Sequence, residues 1–240
     1  MVSNRPHTIA IDGPAASGKS TVGQLVAHRL GFLYVDTGAM YRAITLLALE
    51  RGMDLSDEVA LGRLAAATRI DIEAPAEGDD DERQYTVRVG GKDITWEIRH
   101  HLVDAHVSQV AAHPAVRAAL VAQQRRIGLR GNVVMVGRDI GTVVMPDAPL
   151  KIYLDASLEE RVRRRYDECQ RRGRAADYQA LFGAMQERDR KDSSRAHSPL
   201  RPAEDAYRIN SSDLAIGAVV ETILSLAGEV FELDRRTVVR

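Results

Sequence analysis

Short runs of consecutive apolar residues alternate along the chain with longer stretches whose apolar positions recur every three or four residues. The first run, 8–11, ends in a glycine-rich turn and predicts a buried strand. Over 20–30, Val22, Leu25, Val26 and Leu30 share one helical face, and Gly31 stops the helix before a second predicted strand at 32–35. Another helix is predicted from about 39 to 50, ending at Gly52. This strand, loop, helix, strand order opens a parallel sheet.

The segment 68–98 has a different character. Glu73, Glu77, Asp79, Asp80, Asp81 and Glu82 form an acidic stretch that reads as a solvated, functionally silent loop. Tyr85, Val87 and Val89 then alternate with polar residues, and Gly90-Gly91 suits a two-residue hairpin turn. Together these predict a small antiparallel β insertion outside the main sheet. Helical spacing resumes near 97, and Pro114 fits the first turn of a helix ending near Gly128. Strands are predicted at 133–136 and 151–154. From 158 to about 181 the pattern is a very basic helix, broken at Gly173 and then resumed. A last strand is predicted at 207–210, with Ser212 capping a final helix over 213–227. Without repeats or a long linker, the chain reads as one α/β domain: a five-stranded parallel sheet flanked by helices.

Composition narrows the classes. The 240 residues are 45% hydrophobic and 28% charged, which suits one folded core. A formal net charge of -1 does not suit a generally basic nucleic-acid binder. One cysteine, Cys169, excludes an internal disulfide and a cysteine-rich zinc site. No apolar run approaches the roughly 18 residues of a membrane span, and 1–7 has no secretory hydrophobic segment. A cytoplasmic monomer without nucleic-acid or membrane partners is expected. His100, His101, His106 and His113 invite a metal reading, but adjacent histidines point apart on a helix and nothing completes a ligand set.

The chemistry is concentrated in two segments. Gly13-Pro14-Ala15-Ala16-Ser17-Gly18-Lys19-Ser20 fits G-x-x-x-x-G-K-[ST], after a predicted strand and before a predicted helix, as a P-loop requires. Its backbone N–H groups and the helix N-terminus would cradle phosphates, with Lys19 on the β- and γ-phosphates, Ser20 on Mg²⁺ and Thr21 alongside. There is no N-K-x-D guanine motif, and the strand at 133–136 runs into Gly137-Arg138-Asp139. An arginine there suits a phosphate-bearing acceptor better than a water-activating site. Asp36-Thr37-Gly38-Ala39-Met40-Tyr41-Arg42 follows the second strand, so Thr37 and Arg42 belong at the carboxyl edge of the sheet beside the P-loop.

These segments resemble the bacterial-type cytidylate kinases, a family of P-loop nucleoside monophosphate kinases. The resemblance extends through Lys92-Asp93-Ile94, Glu97-Ile98-Arg99, Ser108-Gln109-Val110-Ala111, the segment 137–149 and Lys151-Ile152-Tyr153-Leu154-Asp155-Ala156. It ends with Glu187-Arg188-Asp189 through Arg195, and covers about 8 to 227 in the family's order. It implies a P-loop NTPase fold with a core at 8–68, 99–155 and 191–227, a monophosphate-side insertion at 69–98 and a lid at 156–190. It also implies transfer of phosphate from ATP to CMP or dCMP, with Mg²⁺ and direct in-line displacement.

By the same resemblance, ATP is held by residues 13–21 with Arg161, Arg164 and Arg165 of the lid. Thr37, Arg42 and Arg138 hold the acceptor's phosphate, while Ser108, Arg117 and Arg195 face cytosine. Arg188 and Asp192 touch the ribose, Asp139 supports that wall, and Lys19, Arg138 and Arg188 act in catalysis. Position 136 is Val where the family commonly has an acid, which leaves Mg²⁺ to Ser20, the phosphates and water, with Asp36 as the nearest alternative. Between 156 and 201 there are 12 Lys/Arg and 8 Asp/Glu, the local positive excess expected of a lid over a nucleotide. The bland reading of 161–165 is a solvated charged face. The rival functions are a kinase for UMP or for both pyrimidines, and a nucleotide-binding regulatory module whose basic segment touches RNA.

Overall fold

The computed structural model describes residues 7–76, 78, 81, 83–173 and 175–232. In chain order, β1 (Thr8–Asp12), α1 (Lys19–Leu30), β2 (Leu33–Asp36), α2 (Thr37–Glu50) and α3 (Glu58–Ala67) lead into β3 (Ile70–Glu73), β4 (Thr86–Val89) and β5 (Lys92–Asp93). After these come α4 (His101–Val110), α5 (Pro114–Gly128), β6 (Val133–Gly137) and β7 (Leu150–Asp155). The described chain closes with α6 (Leu158–Arg171), α7 (Tyr178–Ser193), β8 (Tyr207–Asn210) and α8 (Ile216–Phe231).

The five apolar strands pair in the order β2-β6-β1-β7-β8, all parallel, as predicted. Ile9, Ile11, Val134, Met135 and Ile152 are fully buried or nearly so, as strands covered on both faces require. The register sets Asp12 opposite Gly137 and Asp36 opposite Val136. The carboxyl ends of three strands are therefore level, and the loops that leave them share one edge. This is the crevice where open parallel sheets bind ligands.

β3, β4 and β5 form the separate antiparallel sheet that was expected. Gly90 and Gly91 adopt φ of 58° and 83°, the left-handed pair that a tight hairpin turn between β4 and β5 demands. Glu77, Asp79, Asp80 and Glu82 of the acidic stretch lie outside the described residues. Asp81 is exposed, as expected of a solvated loop, but it has a structural part. Its carboxylate accepts from Arg83 Nε at 2.7 Å and from the Trp96 indole N–H at 2.7 Å, and Arg83 also reaches Asp93 at 2.5 Å. The carboxylate thus staples the insertion.

Three elements depart from expectation. α3 was not predicted, although the Asp57 carboxylate accepts from Ala60 N–H as an N-cap. The resumed basic helix runs on to Ser193 as α7, past the lid boundary set at 190. α8 starts at Ile216, three residues later than predicted, because Ser212 is committed elsewhere. Its hydroxyl donates to Asn210 Oδ1 at 2.7 Å and accepts from Ser157 N–H at 2.9 Å, so it cannot cap a helix. Among the described residues, no helix is long and apolar enough to cross a membrane.

Two helical glycines test the packing. A Cβ on Gly62 of α3 would stand 2.6 Å from the Ala115 Cβ of α5, whereas one on Gly183 of α7 meets nothing within 4 Å. Gly62→Ala should lower stability by about 1–3 kcal/mol through overpacking. Gly183→Ala should raise it by about 0.5–1 kcal/mol through helix propensity. Urea midpoints measure both, and shifts of the same sign would refute this account of the α3–α5 contact.

Candidate active site

Immediately after β1 the backbone turns tightly under β7. Gly13 has φ +151°, and a Cβ there would lie 2.0 Å from the Leu154 carbonyl oxygen, so no larger residue fits. Ala16 is held at φ 58°, a left-handed conformation that is strained for alanine. Gly18 then caps α1, whose first residue is Lys19. The Lys19 side chain is buried and donates to Pro14 O at 2.5 Å and Ser17 Oγ at 3.2 Å. Burial, then the charge of Arg138, push its pKa well below the usual lysine range. An arriving anion would relieve both effects.

The opposite wall is built at the ends of β2 and β6. Asp36 caps α2 by accepting from Gly38 N–H at 2.9 Å, and the Thr37 hydroxyl donates to Val136 O at 2.9 Å. One turn on, α2 presents Arg42. β6 runs out into Gly137, Arg138 and Asp139, and a π-helical turn follows at Ile140–Val144. Asp12 locks that turn: its two carboxylate oxygens accept from Ile140 N–H and Gly141 N–H, each at 2.7 Å.

α7 closes the site. Asp192, 3% exposed, accepts from Arg138 Nε at 3.0 Å and, on its other oxygen, from Arg195. Burial would raise its pKa, but Arg138 and Arg195 together hold it below the ordinary carboxylate range. Arg117 on α5 is also buried, gives Nη2–H to Asp139 at 2.5 Å and lies 5.4 Å over the Tyr41 ring. Arg188 makes no hydrogen bond or ion pair among the described residues. Burial, then neighbouring Arg138, push its pKa down to about 10, which leaves it charged at neutral pH.

A single cavity of about 330 Å³ joins these parts. Ala15, Ala16, Lys19 and Ser20 line it from the P-loop, and Thr37, Arg42 and Ser108 from α2 and α4. Arg117, Arg138, Asp139, Arg188, Asp192 and Arg195 complete the wall. Gly13, Pro14, Ser17 and Gly18 shape the loop behind the lining, and Thr21 is exposed on α1 outside it.

The three arginines expected in a lid divide. Arg165 lines the cavity. Arg161 is buried, pairs with Asp189 at 2.6 Å and donates to Ala15 O at 3.3 Å. Arg164 donates to Ser211 O at 2.6 Å, and the Ser211 hydroxyl in turn reaches Ser17 O at 3.2 Å. Helical spacing of three and four puts the three on one face, but Arg161 grips the P-loop backbone directly and Arg164 through Ser211, both from outside the cavity.

Ser20 and Asp36 bring a hydroxyl and a carboxylate to the same cavity, whereas the Val136 side chain brings no oxygen. Such a sparse oxygen set fits Mg²⁺, which keeps several waters and relies on substrate phosphates. Among the described residues, no three His, Cys, Asp or Glu side chains cluster as a metal site. The sequence reading missed Asp12 and gave Tyr41 no role. An acid ending an apolar strand was the available signal for the first, and for Tyr41 there was none beyond its place in the segment.

The sequence profile of the family described as cytidylate kinase matches residues 9–229. A cytidylate kinase of Herpetosiphon aurantiacus is 50% identical over 223 residues, covering 93% of this chain and 95% of that protein. One from Pelotomaculum thermopropionicum is 50% identical over 217 residues, covering 90% and 94%. A solved shikimate kinase from Bacteroides thetaiotaomicron is similar with a TM-score of 0.45 and 13% identity, covering 94% of this chain and 98% of that one.

Burial raises the Asp12 pKa from 3.8 to about 6 against the two backbone hydrogen bonds. The folded protein therefore takes up a proton near pH 6 that the unfolded chain takes up only near pH 4. This group alone adds stability as pH falls through that window. The stability advantage of the wild type over Asp12→Asn should grow by about 2 kcal/mol between pH 6.5 and pH 4. Urea titrations at several pH values measure it, and a constant difference would contradict the assignment.

Proposed function

The chain belongs to the cytidylate kinase family, and we propose that it transfers the γ-phosphoryl group of ATP to CMP or dCMP, giving ADP and CDP or dCDP. One observation carries this reading: the P-loop lysine and six arginines, 42, 117, 138, 165, 188 and 195, line one cavity, and Arg188 makes no hydrogen bond or ion pair among the described residues. That charge is what two phosphate-bearing substrates would neutralise.

The attacking group is an anionic phosphate oxygen of the acceptor, so no protein nucleophile or general base is needed. As its bond to the γ-phosphorus forms, the bond to the bridging oxygen breaks and ADP leaves. The protein's work is to align two anions and stabilise charge on the transferring group. Lys19 turns from Pro14 O towards the β- and γ-phosphates, while Arg138 and Arg188 serve the transferring group. Arg42, Arg138 and Thr37 hold the acceptor phosphate, for which paired guanidinium donors are suited. Ser20, with Asp36 through water, would hold Mg²⁺, whose charge would further neutralise the phosphates. Asp192 and Arg188 face the ribose. The segment 156–190 acts as a lid that excludes water, with Arg165 on the ATP, and 69–98 closes on the monophosphate side. Arg161 and Arg164 steady the P-loop beneath the ATP.

A coupled ADP-release assay across CMP, dCMP, UMP and AMP tests the reading, with CMP and dCMP turned over fastest. ATP binding without turnover would point instead to a regulatory module. Lys19→Ala should lower kcat about a hundredfold or more, as removal of a preorganised donor does, while CMP binding survives. Near-normal kcat in that variant would sink the P-loop role.

Cytosine presents acceptors at N3 and O2 and a donor at N4, whereas uracil carries a donor at N3. Arg195, which lines the cavity together with Ser108, would pair with the first pattern and oppose the second. Arg117, already given to Asp139, supports that edge. Arg195→Met should cost CMP at least about tenfold more in kcat/KM than it costs UMP, since unpaired buried donors cost about 1–3 kcal/mol each. Equal losses for both substrates would assign Arg195 to phosphate or to structure.

A further inference from the structure

Arg42 is anchored in an unusual way for a residue that faces an anion. Its Nη1 donates to Asp104 Oδ1 at 2.5 Å and to Ile98 O at 3.3 Å, and no other hydrogen bond from its guanidinium is present among the described residues. Nε and Nη2, the parallel pair of donors along one edge, are left with no acceptor. Asp104 and Ser108 lie four residues apart on α4, so they share one face of that helix. Ser108 lines the cavity and Asp104 does not. Ile98 belongs to the short 3-10 turn between the β insertion and α4. One nitrogen of Arg42 is thus tied to the two elements that bound the acceptor side of the cavity.

We propose that Asp104 is a positioning residue for the acceptor phosphate: it fixes Arg42 by Nη1 and so presents the Nε–Nη2 edge to the phosphate. The proposal rests on the kinase reading above. A free arginine side chain spreads over many rotamers, and a bidentate grip on phosphate requires one of them. The carboxylate and the Ile98 carbonyl select that rotamer before the substrate binds. Asp104 also sits in the first turn of α4, where a carboxylate favours the helix N-terminus. A role confined to the helix would change thermal stability and leave KM for the acceptor alone.

The test compares Asp104→Ala and Asp104→Asn with the wild type, alone and in an Arg42→Ala background. The pair is partly exposed, with side chains 29% and 37% accessible, so the effect is that of a partly screened ion pair. Asp104→Ala should raise KM for CMP about three- to fivefold, with kcat changed less than about twofold and KM for ATP unmoved. Asp104→Asn keeps an oxygen acceptor for Nη1 and should recover most of the loss. In the Arg42→Ala background, Asp104→Ala should add nothing. Binding of cytidine, which lacks the phosphate, should be the same in all variants. An unchanged KM for CMP overturns the proposal, and so does a lowered one, which would make Asp104 a competitor for Arg42. An effect that persists without Arg42, or that extends to cytidine, overturns it as well. Absence of CMP turnover in the wild type would instead refute the kinase reading, so the two failures are told apart.

Discussion

Lys19, Arg42, Arg138, Arg188 and Arg195 are five of the seven cations that line a cavity of about 330 Å³, and their mutual repulsion has to be contained before any ligand arrives. Two like charges 4 Å apart repel by about 4 kcal/mol at the effective dielectric of such a site. The fold answers with carboxylates placed one by one. Asp192 spans Arg138 and Arg195, and Asp104 takes one nitrogen of Arg42. Asp139 takes Arg117 behind them. Among the described residues, Lys19 donates only to neutral oxygens and Arg188 has no hydrogen-bond acceptor. The containment is therefore incomplete, and the deficit lies where phosphates would bind in the proposed reaction.

Containment works only if the carboxylates and arginines keep their places, and this depends on the sheet edge being one rigid unit. Gly13 lets β1 leave the sheet against the Leu154 carbonyl, while Asp12, one residue earlier, fastens the turn that follows Arg138 and Asp139. One strand end thus fixes the phosphate loop and the turn after β6 relative to each other. From the outer side, Arg161 and Arg164 tie α6 to Ala15 and, through Ser211, to Ser17. The P-loop is held on both flanks by groups that never enter the cavity.

What could be read from the sequence divides along physical lines. The five strands, the P-loop and the Gly90-Gly91 hairpin were legible because an apolar run, a phosphate loop and a left-handed glycine pair are each dictated by adjacent residues. Helix starts were less legible. Ser212 has the chemistry of a cap, but Asn210 and the distant Ser157 claim its hydroxyl. Spacing placed Arg161, Arg164 and Arg165 on one face without revealing that Asp189 and Ser211 would claim two of them. Asp12 was passed over because its partners lie 128 and 129 residues away. The pairing of Arg42 with Asp104, 62 residues apart, is equally invisible to local pattern.

The differing restraint of the five cations bears on how the proposed reaction would use them. A group already fixed by the protein needs no reorganisation when charge develops on the transferring phosphoryl group, so its stabilisation is available in the transition state. Arg138 and Arg195, clamped on the two oxygens of one buried carboxylate, meet that condition. Lys19 must first release Pro14 O and Ser17 Oγ, so part of its interaction with the phosphates is spent on that exchange. Arg188 has no hydrogen bond among the described residues to release, and burial beside Arg138 outweighs the attraction of Asp192, which makes its charge costly. A phosphate arriving near Arg188 therefore gains both a new attraction and the removal of an existing strain in the field. Of the five, it alone meets the phosphate with no hydrogen-bond partner among the described residues: Lys19 must exchange its own, whereas Arg138, Arg195 and Arg42 keep theirs.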